Sequence, residues 1–187
     1  MKHLRFAVFS AMLAACAAPQ RPAAVRAEHA RDWVPLRQGA AWSYDTQTGI
    51  GGDTVLATLV VVRVDGPRFL VRSSNSRTET WEYREGGVFR EGQFILKDPV
   101  RVGTQWEGPT GGYEIRTVGE ARTVGDQRFT NVVSVTHTAR ASGVTTTTYF
   151  AAGVGVIEIE ASATSSRGTS VGIRSTLRGY TLNADGA

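Results

Sequence analysis

The sequence predicts an all-β domain: antiparallel strands in a strongly curved sheet, barrel-like or sandwich-like, built of two similar tandem units. Three observations lead there. From Pro35 onward, short runs of Val, Ile, Thr, Phe, Tyr and Trp are separated by Gly, Asp-Gly, Asn and Pro at intervals of roughly ten residues. No stretch after residue 35 keeps a 3.6-residue apolar period. The chain also repeats itself: Pro35-Leu36-Arg37-Gln38-Gly39-Ala40-Ala41-Trp42 returns as Pro99-Val100-Arg101-Val102-Gly103-Thr104-Gln105-Trp106.

The elements follow in order. A strand opens at Trp42, and Gly49-Ile50-Gly51-Gly52 leads from it into another strand, so it reads as a hairpin loop and not as a phosphate cradle, which needs a helix N-terminus. Thr54–Asp65 is the longest run, and both of its alternating faces are mostly apolar, which predicts a strand covered on both sides. Asp65-Gly66-Pro67 turns it into Arg68–Ser73. Thr78–Arg84 pairs with Val88–Arg90 across Glu85-Gly86-Gly87, and Gly103–Glu107 pairs with Tyr113–Gly119 across Pro109-Thr110-Gly111-Gly112. Later strands are Glu120–Val124, Phe129–Arg140, Val144–Ala151, Val154–Ala163 and Ser170–Leu182. Further echoes lay Thr80–Val88 on Thr146–Val154 and Val64–Phe69 on Val124–Phe129. In the repeated turn proline fixes the entry, glycine supplies a conformation closed to other residues, and the tryptophan packs inward, so Trp42 and Trp106 are read as architecture.

The first residues have a different texture. Lys2, His3 and Arg5 precede the apolar run 6–13, which is too short to span a bilayer, where ~20 apolar residues are needed. Leu13-Ala14-Ala15-Cys16 follows, and Cys16 is the only cysteine of the chain. These residues resemble the signal peptide and lipobox of bacterial lipoproteins. The resemblance implies a signal helix over residues 1–15 that is cleaved off, a diacylglycerol on the Cys16 sulfur, and fatty acyl chains such as palmitate on the new amino terminus. Each buried methylene contributes ~0.8 kcal/mol, so two or three chains hold a protein to a membrane surface without spanning it. Ala17, where inner-membrane retention would place Asp, implies by the enterobacterial sorting rule the cell outer membrane, on its periplasmic or outer side.

The expected organisation is therefore a signal peptide at 1–15, lipidated Cys16 with an Ala/Pro-rich flexible tether at 16–34, and a single all-β domain at 35–183 with repeats at about 35–98 and 99–163. Processing removes Lys2 and Arg5 and leaves all 17 acidic residues, so the formal +4 falls to +2. With the arginines scattered, that excludes a nucleic-acid footprint. Pro-Leu-x-x-Gly-x-x-Trp-x-Tyr at 35–44, the stretch 124–132, and Tyr149-Phe150-Ala151-Ala152-Gly153-Val154-Gly155 also resemble a broad set of uncharacterised bacterial envelope lipoproteins. That resemblance implies an all-β fold and an envelope location and carries no activity with it. Ala152 stands where those proteins usually have proline.

Chemistry-bearing motifs are sparse. After processing only His29 and His137 remain; His29 reads as a solvated tether residue and His137 as a hydrogen-bonded core histidine. Neither His-Glu-x-x-His nor Gly-x-Ser-x-Gly nor an EF-hand loop appears, so no metal, no cofactor and no catalytic residue is predicted. Glu158 with Glu160, and Glu79, Glu82, Glu85 and Glu91 around Trp81 and Tyr83, could form a two-carboxylate sugar-cleaving cleft, but scattered acids on exposed strands are the commoner arrangement. Trp81 and Tyr83 are the candidates for an aromatic binding surface. The expectation is a lipid-anchored envelope protein with a non-enzymatic binding or structural role, its partners the membrane and an envelope protein or hydrophobic ligand. The alternative is a carrier or chaperone of a hydrophobic ligand, like the lipoprotein-localisation proteins LolA and LolB, although the helices that cover the concave sheet of those carriers have no counterpart in this sequence.

Overall fold

Twelve strands follow one short helix, α1 (Ala30–Trp33), in the computed structural model, which describes residues 27–49, 52–164 and 170–182. The signal helix and Cys16 lie outside the described residues. The first six strands are β1 (Ala41–Thr48), β2 (Thr54–Asp65), β3 (Arg68–Ser73), β4 (Thr78–Arg84), β5 (Gly87–Arg90) and β6 (Gln93–Lys97). The second six are β7 (Gln105–Glu107), β8 (Gly111–Val124), β9 (Gln127–Ala139), β10 (Thr145–Ala151), β11 (Gly155–Thr164) and β12 (Ser170–Thr181). All pair antiparallel in one nearly closed, barrel-shaped sheet of order β6-β5-β4-β3-β2-β1-β12-β11-β10-β9-β8-β7.

Each unit is thus a six-stranded meander, and the last strand of the second unit pairs with the first strand of the first. Equivalence would then place β6 beside β7. Those two strands are only five and three residues long, because Pro99 follows β6 closely and Pro109 follows β7, and proline cannot donate to a ladder. Side chains bridge the gap instead. Trp106 Nε1 donates to Phe94 O at 2.9 Å, and Tyr113 OH donates to Gln93 Oε1 at 2.9 Å.

The repeated turn does the same job twice. Gly39 N–H donates to Val61 O, Ala40 N–H to Arg37 O, and Val61 N–H back to Ala40 O; in the second unit Gly103 pairs with Ile115 O, Thr104 with Arg101 O, and Ile115 with Thr104 O. Gly39 and Gly103 have φ of 77° and 84°, the left-handed region that favours glycine. Val61 and Ile115 are fully buried and are followed by equivalent bulges opposite Val71 and Val135. From there the correspondence departs from the sequence echo: Trp81, partner of Phe69, matches Phe150, partner of Val133, and does not match Thr147.

Other expectations need correction. Tyr113–Gly119 and Glu120–Val124 form one strand, β8, whose bulges absorb Gly119 at φ 82°. β6 is an additional strand. β2 is not covered on both sides at its start, where Val55 and Leu56 are 62% and 51% exposed. The domain also begins before residue 35, since Ala30, Trp33 and Val34 are buried. Trp33 Nε1 donates to Asn131 O, Ala30 N–H to Asp98 Oδ1, and Gly153 N–H to Asp32 O. Tyr83 OH donates to Val34 O at 2.7 Å and accepts from Leu36 N–H at 2.6 Å. The end of the expected tether is thereby laid across one end of the barrel as a plug.

Trp42 and Trp106 are 5% and 7% exposed, and Trp42 Nε1 donates to Val154 O at 2.7 Å. A side chain on Gly155 would meet that indole at 3.0 Å, and Gly155 also has a positive φ of 112°. Trp42→Ala and Trp106→Ala should each remove ~3–5 kcal/mol of stability, read from denaturant midpoints. Trp106→Phe, which strands Phe94 O, should lose ~1 kcal/mol. Alanine variants that unfold at the parent's midpoint would take both rings out of the architecture.

Candidate ligand-binding mouth of the barrel

Directly paired residues share a face, so the interior can be traced from the buried Trp42, Tyr44 and Leu177 around the sheet. Near α1 it is filled: Val34, Leu36, Trp42, Tyr44, Leu59, Val71 and Trp81 surround a void of about 10 Å³, room for about one water. Away from α1 it turns polar and wetter. Among the described residues in that half, the inward positions carry one carboxylate, Glu79, and one guanidinium, Arg90.

These two meet. Arg90 Nε donates to Glu79 Oε2 at 2.7 Å, and Arg77 Nε lies 3.4 Å from Glu79 Oε1. Burial works against the charged form of Glu79, but the hydrogen bond and charge of Arg90, with Trp81 and Arg77 adding to them, hold its carboxyl below the ordinary value. The guanidinium carbon of Arg90 sits 5.2 Å from the Trp81 ring centre. Its charge also reaches Tyr44, whose phenol burial pushes well up.

From Arg90 a polar band continues around the wall. Arg90 and Gln93 are register partners on β5 and β6, Gln93 takes the Tyr113 hydroxyl across the seam, and Tyr113 is the register partner of His137 on β9. The Tyr113 ring is stacked between Trp106 at 5.3 Å and His137 at 4.3 Å, and His137 Nε2 lies 3.2 Å from Thr110 Oγ1. Burial pushes the imidazole down, which favours its neutral form at pH 7. On the facing wall Thr46 and Ser175 share a hydrogen bond of 2.8 Å, beside the inward but exposed Val55 and Ile173.

The sequence-predicted residues fall as follows. Trp81 is 5% exposed and Tyr83 is tied to the plug, so they are wall and strut and not an exposed aromatic surface. Trp81 Nε1 is buried without a hydrogen bond of sound geometry, although it lies close enough to Glu79 to help hold that carboxylate ionised. His29 is exposed beside α1 and Asp32. Glu79, Glu82, Glu85 and Glu91 do not converge: Glu79 faces inward, Glu82 binds Arg68 and Arg84 outside, and Glu91 accepts Thr80 N–H. Glu158 and Glu160 lie on the outer face. Glu158 is fully buried between Arg122 and Arg174, while Glu160 takes the Tyr149 hydroxyl at 3.1 Å. The carboxylate of Glu158 is clamped by two guanidiniums, and this cluster is a clasp between β8, β10, β11 and β12. Arg90, Gln93 and Tyr113 were not singled out by the sequence; their signal was the alternation of short strands, one of which, β6, was itself unpredicted.

No protein family and no curated protein matches the chain. Two solved structures resemble it. A protein of Bacteroides fragilis described as exported, with a YmcC-like fold, is 9% identical, with 79% of this chain and 98% of that one covered, at a TM-score of 0.47. A protein of Parabacteroides distasonis described as a lipoprotein is 10% identical, with 80% and 98% covered, at a TM-score of 0.41.

The lowered Glu79 value has a definite sign in stability. Unfolding raises the carboxyl back toward 4.5, so the unfolded chain binds the proton more readily. The contribution of Glu79 is complete above that value and is lost as pH falls through the lower folded value. Glu79→Gln should therefore flatten the fall of Tm on acidification below about pH 4.5 relative to the parent. Parallel acid limbs in the two proteins would show that the Arg90 contact does not hold the carboxylate.

Proposed function

We propose that the chain is a lipid-anchored lipoprotein of the bacterial cell envelope, sorted to the outer membrane, whose barrel is a non-enzymatic binding module. The anchor is Cys16, bearing diacylglycerol, and the membrane is the first partner. The observation that carries the reading is the plug, because it gives the barrel a direction. The described chain begins at Ala27, against the sealed end, only ten residues after Ala17 opens the linker. A linker of that length reaches at most about 35 Å. The sealed end then faces the lipid, and the wetter end, with its polar band, faces away toward an envelope protein or small ligand.

The carrier reading requires space for acyl chains. The interior near α1 holds a void of about 10 Å³, far below the several hundred Å³ of ordinary ligand cavities. The plugged half of the barrel therefore has no room for an acyl chain.

Cys16→Ser tests the anchor. The parent should incorporate an alkyne-labelled fatty acid and sediment with membranes, and the variant should take up no label and accumulate as an unprocessed or soluble form. A fully labelled variant would overturn the assignment of Cys16.

A further inference from the structure

We propose that the end of the barrel away from α1 is a binding site for a small organic anion, one carboxylate or phosphate monoester on a compact apolar body, with Arg90 as the residue that grips the charge. This rests on the reading of the domain as a binding module, though not on its lipid anchor. Arg90 spends only Nε on Glu79, so both Nη groups of a planar fork remain to pair with an anion. Its side chain is 39% exposed, whereas that of Glu79 is 11% exposed, so an entering ligand meets the cation first. Arg77 on the far side of Glu79 leaves the trio with one positive charge in excess. Glu91, the next carboxylate, is held by the Thr80 amide in the β5–β6 turn.

A second observation within the same cluster points the same way. Trp81 Nε1, in a ring 5% exposed and 5.2 Å from the Arg90 guanidinium, is buried beside Glu79 but makes no hydrogen bond of sound geometry to it. Buried donors are nearly always satisfied, and an anion or its water shell beside Arg90 would supply a better-placed acceptor. Gln93, register partner of Arg90, uses its carbonyl for Tyr113 and keeps its amide N–H groups to donate. Trp81, Arg90 and Gln93 are thus successive register partners on the inner face of β4, β5 and β6. Opposite them, Val55 and Ile173 present apolar surface on the inner face, 62% and 46% exposed, beside the threonine and serine hydroxyls of β1 and β12. Such a wall accepts the uncharged body of the ligand.

Benzoate and phenyl phosphate serve as probes for the two head groups, with benzamide as the uncharged counterpart. Binding to the processed full-length protein, held in neutral-lipid nanodiscs, is read by saturation-transfer NMR. At least one anion should bind at millimolar or better affinity and benzamide should not. Arg90→Gln should weaken that anion at least tenfold and Trp81→Phe about threefold, while Arg72→Gln, an exposed outer-face control, should leave it unchanged. Tm checks folding, and if Arg90→Gln does not fold, Arg90→Lys and Trp81→Phe decide on the same readout. Equal binding of benzamide, no binding of either anion, or anion binding indifferent to Arg90 and Trp81 in folded variants each overturns the site. Loss of fatty-acid labelling with anion binding intact would defeat the anchor alone.

Discussion

The fold depends on how a twelve-stranded sheet deals with its two free edges. An open antiparallel edge exposes a row of unpaired amides and carbonyls and invites another strand. Here the edges are the short β6 and β7, and they are brought face to face and tied by two side-chain hydrogen bonds, from Trp106 to the Phe94 carbonyl and from Tyr113 to Gln93. The same contact elsewhere in the ring, between β12 and β1, is a full ladder. One weld is therefore backbone and the other is side chain. That asymmetry lets the interior be a core at one height and a solvated mouth at another, because the polar residues that close the seam belong to the inner wall.

The two units converge on one local solution and then diverge. Pro-x-x-x-Gly places a glycine amide and a returning carbonyl on the neighbouring strand, and both copies bury a β-branched residue, Val61 or Ile115, under the turn. Beyond that point β8 and β9 outgrow β2 and β3. Their extension brings Arg122 over β10 and β11 to Glu158. A buried carboxylate between two guanidiniums contributes little net stability compared with apolar packing, but removing either side would strand a charge. It serves better as a register pin than as glue.

Much of the fold was legible because its signals are local. The limits of β2, β3 and β4 follow from alternation and from the turns at Asp65-Gly66-Pro67 and Glu85-Gly86. The exceptions share a cause. β6 is five residues with a bulge that breaks its alternation, so nothing periodic marks it. Residues 27–34 have the composition of a linker, yet one tryptophan, one valine and a tyrosine hydroxyl 49 residues away hold the segment down. The polar band was illegible for the strongest reason: Gln93 joins Tyr113 only when the seam closes, and no single-strand pattern encodes a contact made across an unpaired edge. Trp81 and Tyr83 sit where aromatic residues on a half-buried strand usually sit, and their neighbourhood alone decides whether they face a ligand or a plug.

The plug also decides how the domain meets force. With the proposed lipid on Cys16, any pull on the barrel would pass through residues 27–36, and the first bonds in the line of load would be those of Asp32, Trp33, Val34 and Leu36 to Gly153, Asn131 and Tyr83. They would break one at a time, like a zip, and not together in shear. Tension would thus uncover the tryptophan-lined interior from the anchored side while the ladders, which run around the barrel, stay intact. The segment joining lipid to domain would yield before the domain does, as a mechanical fuse.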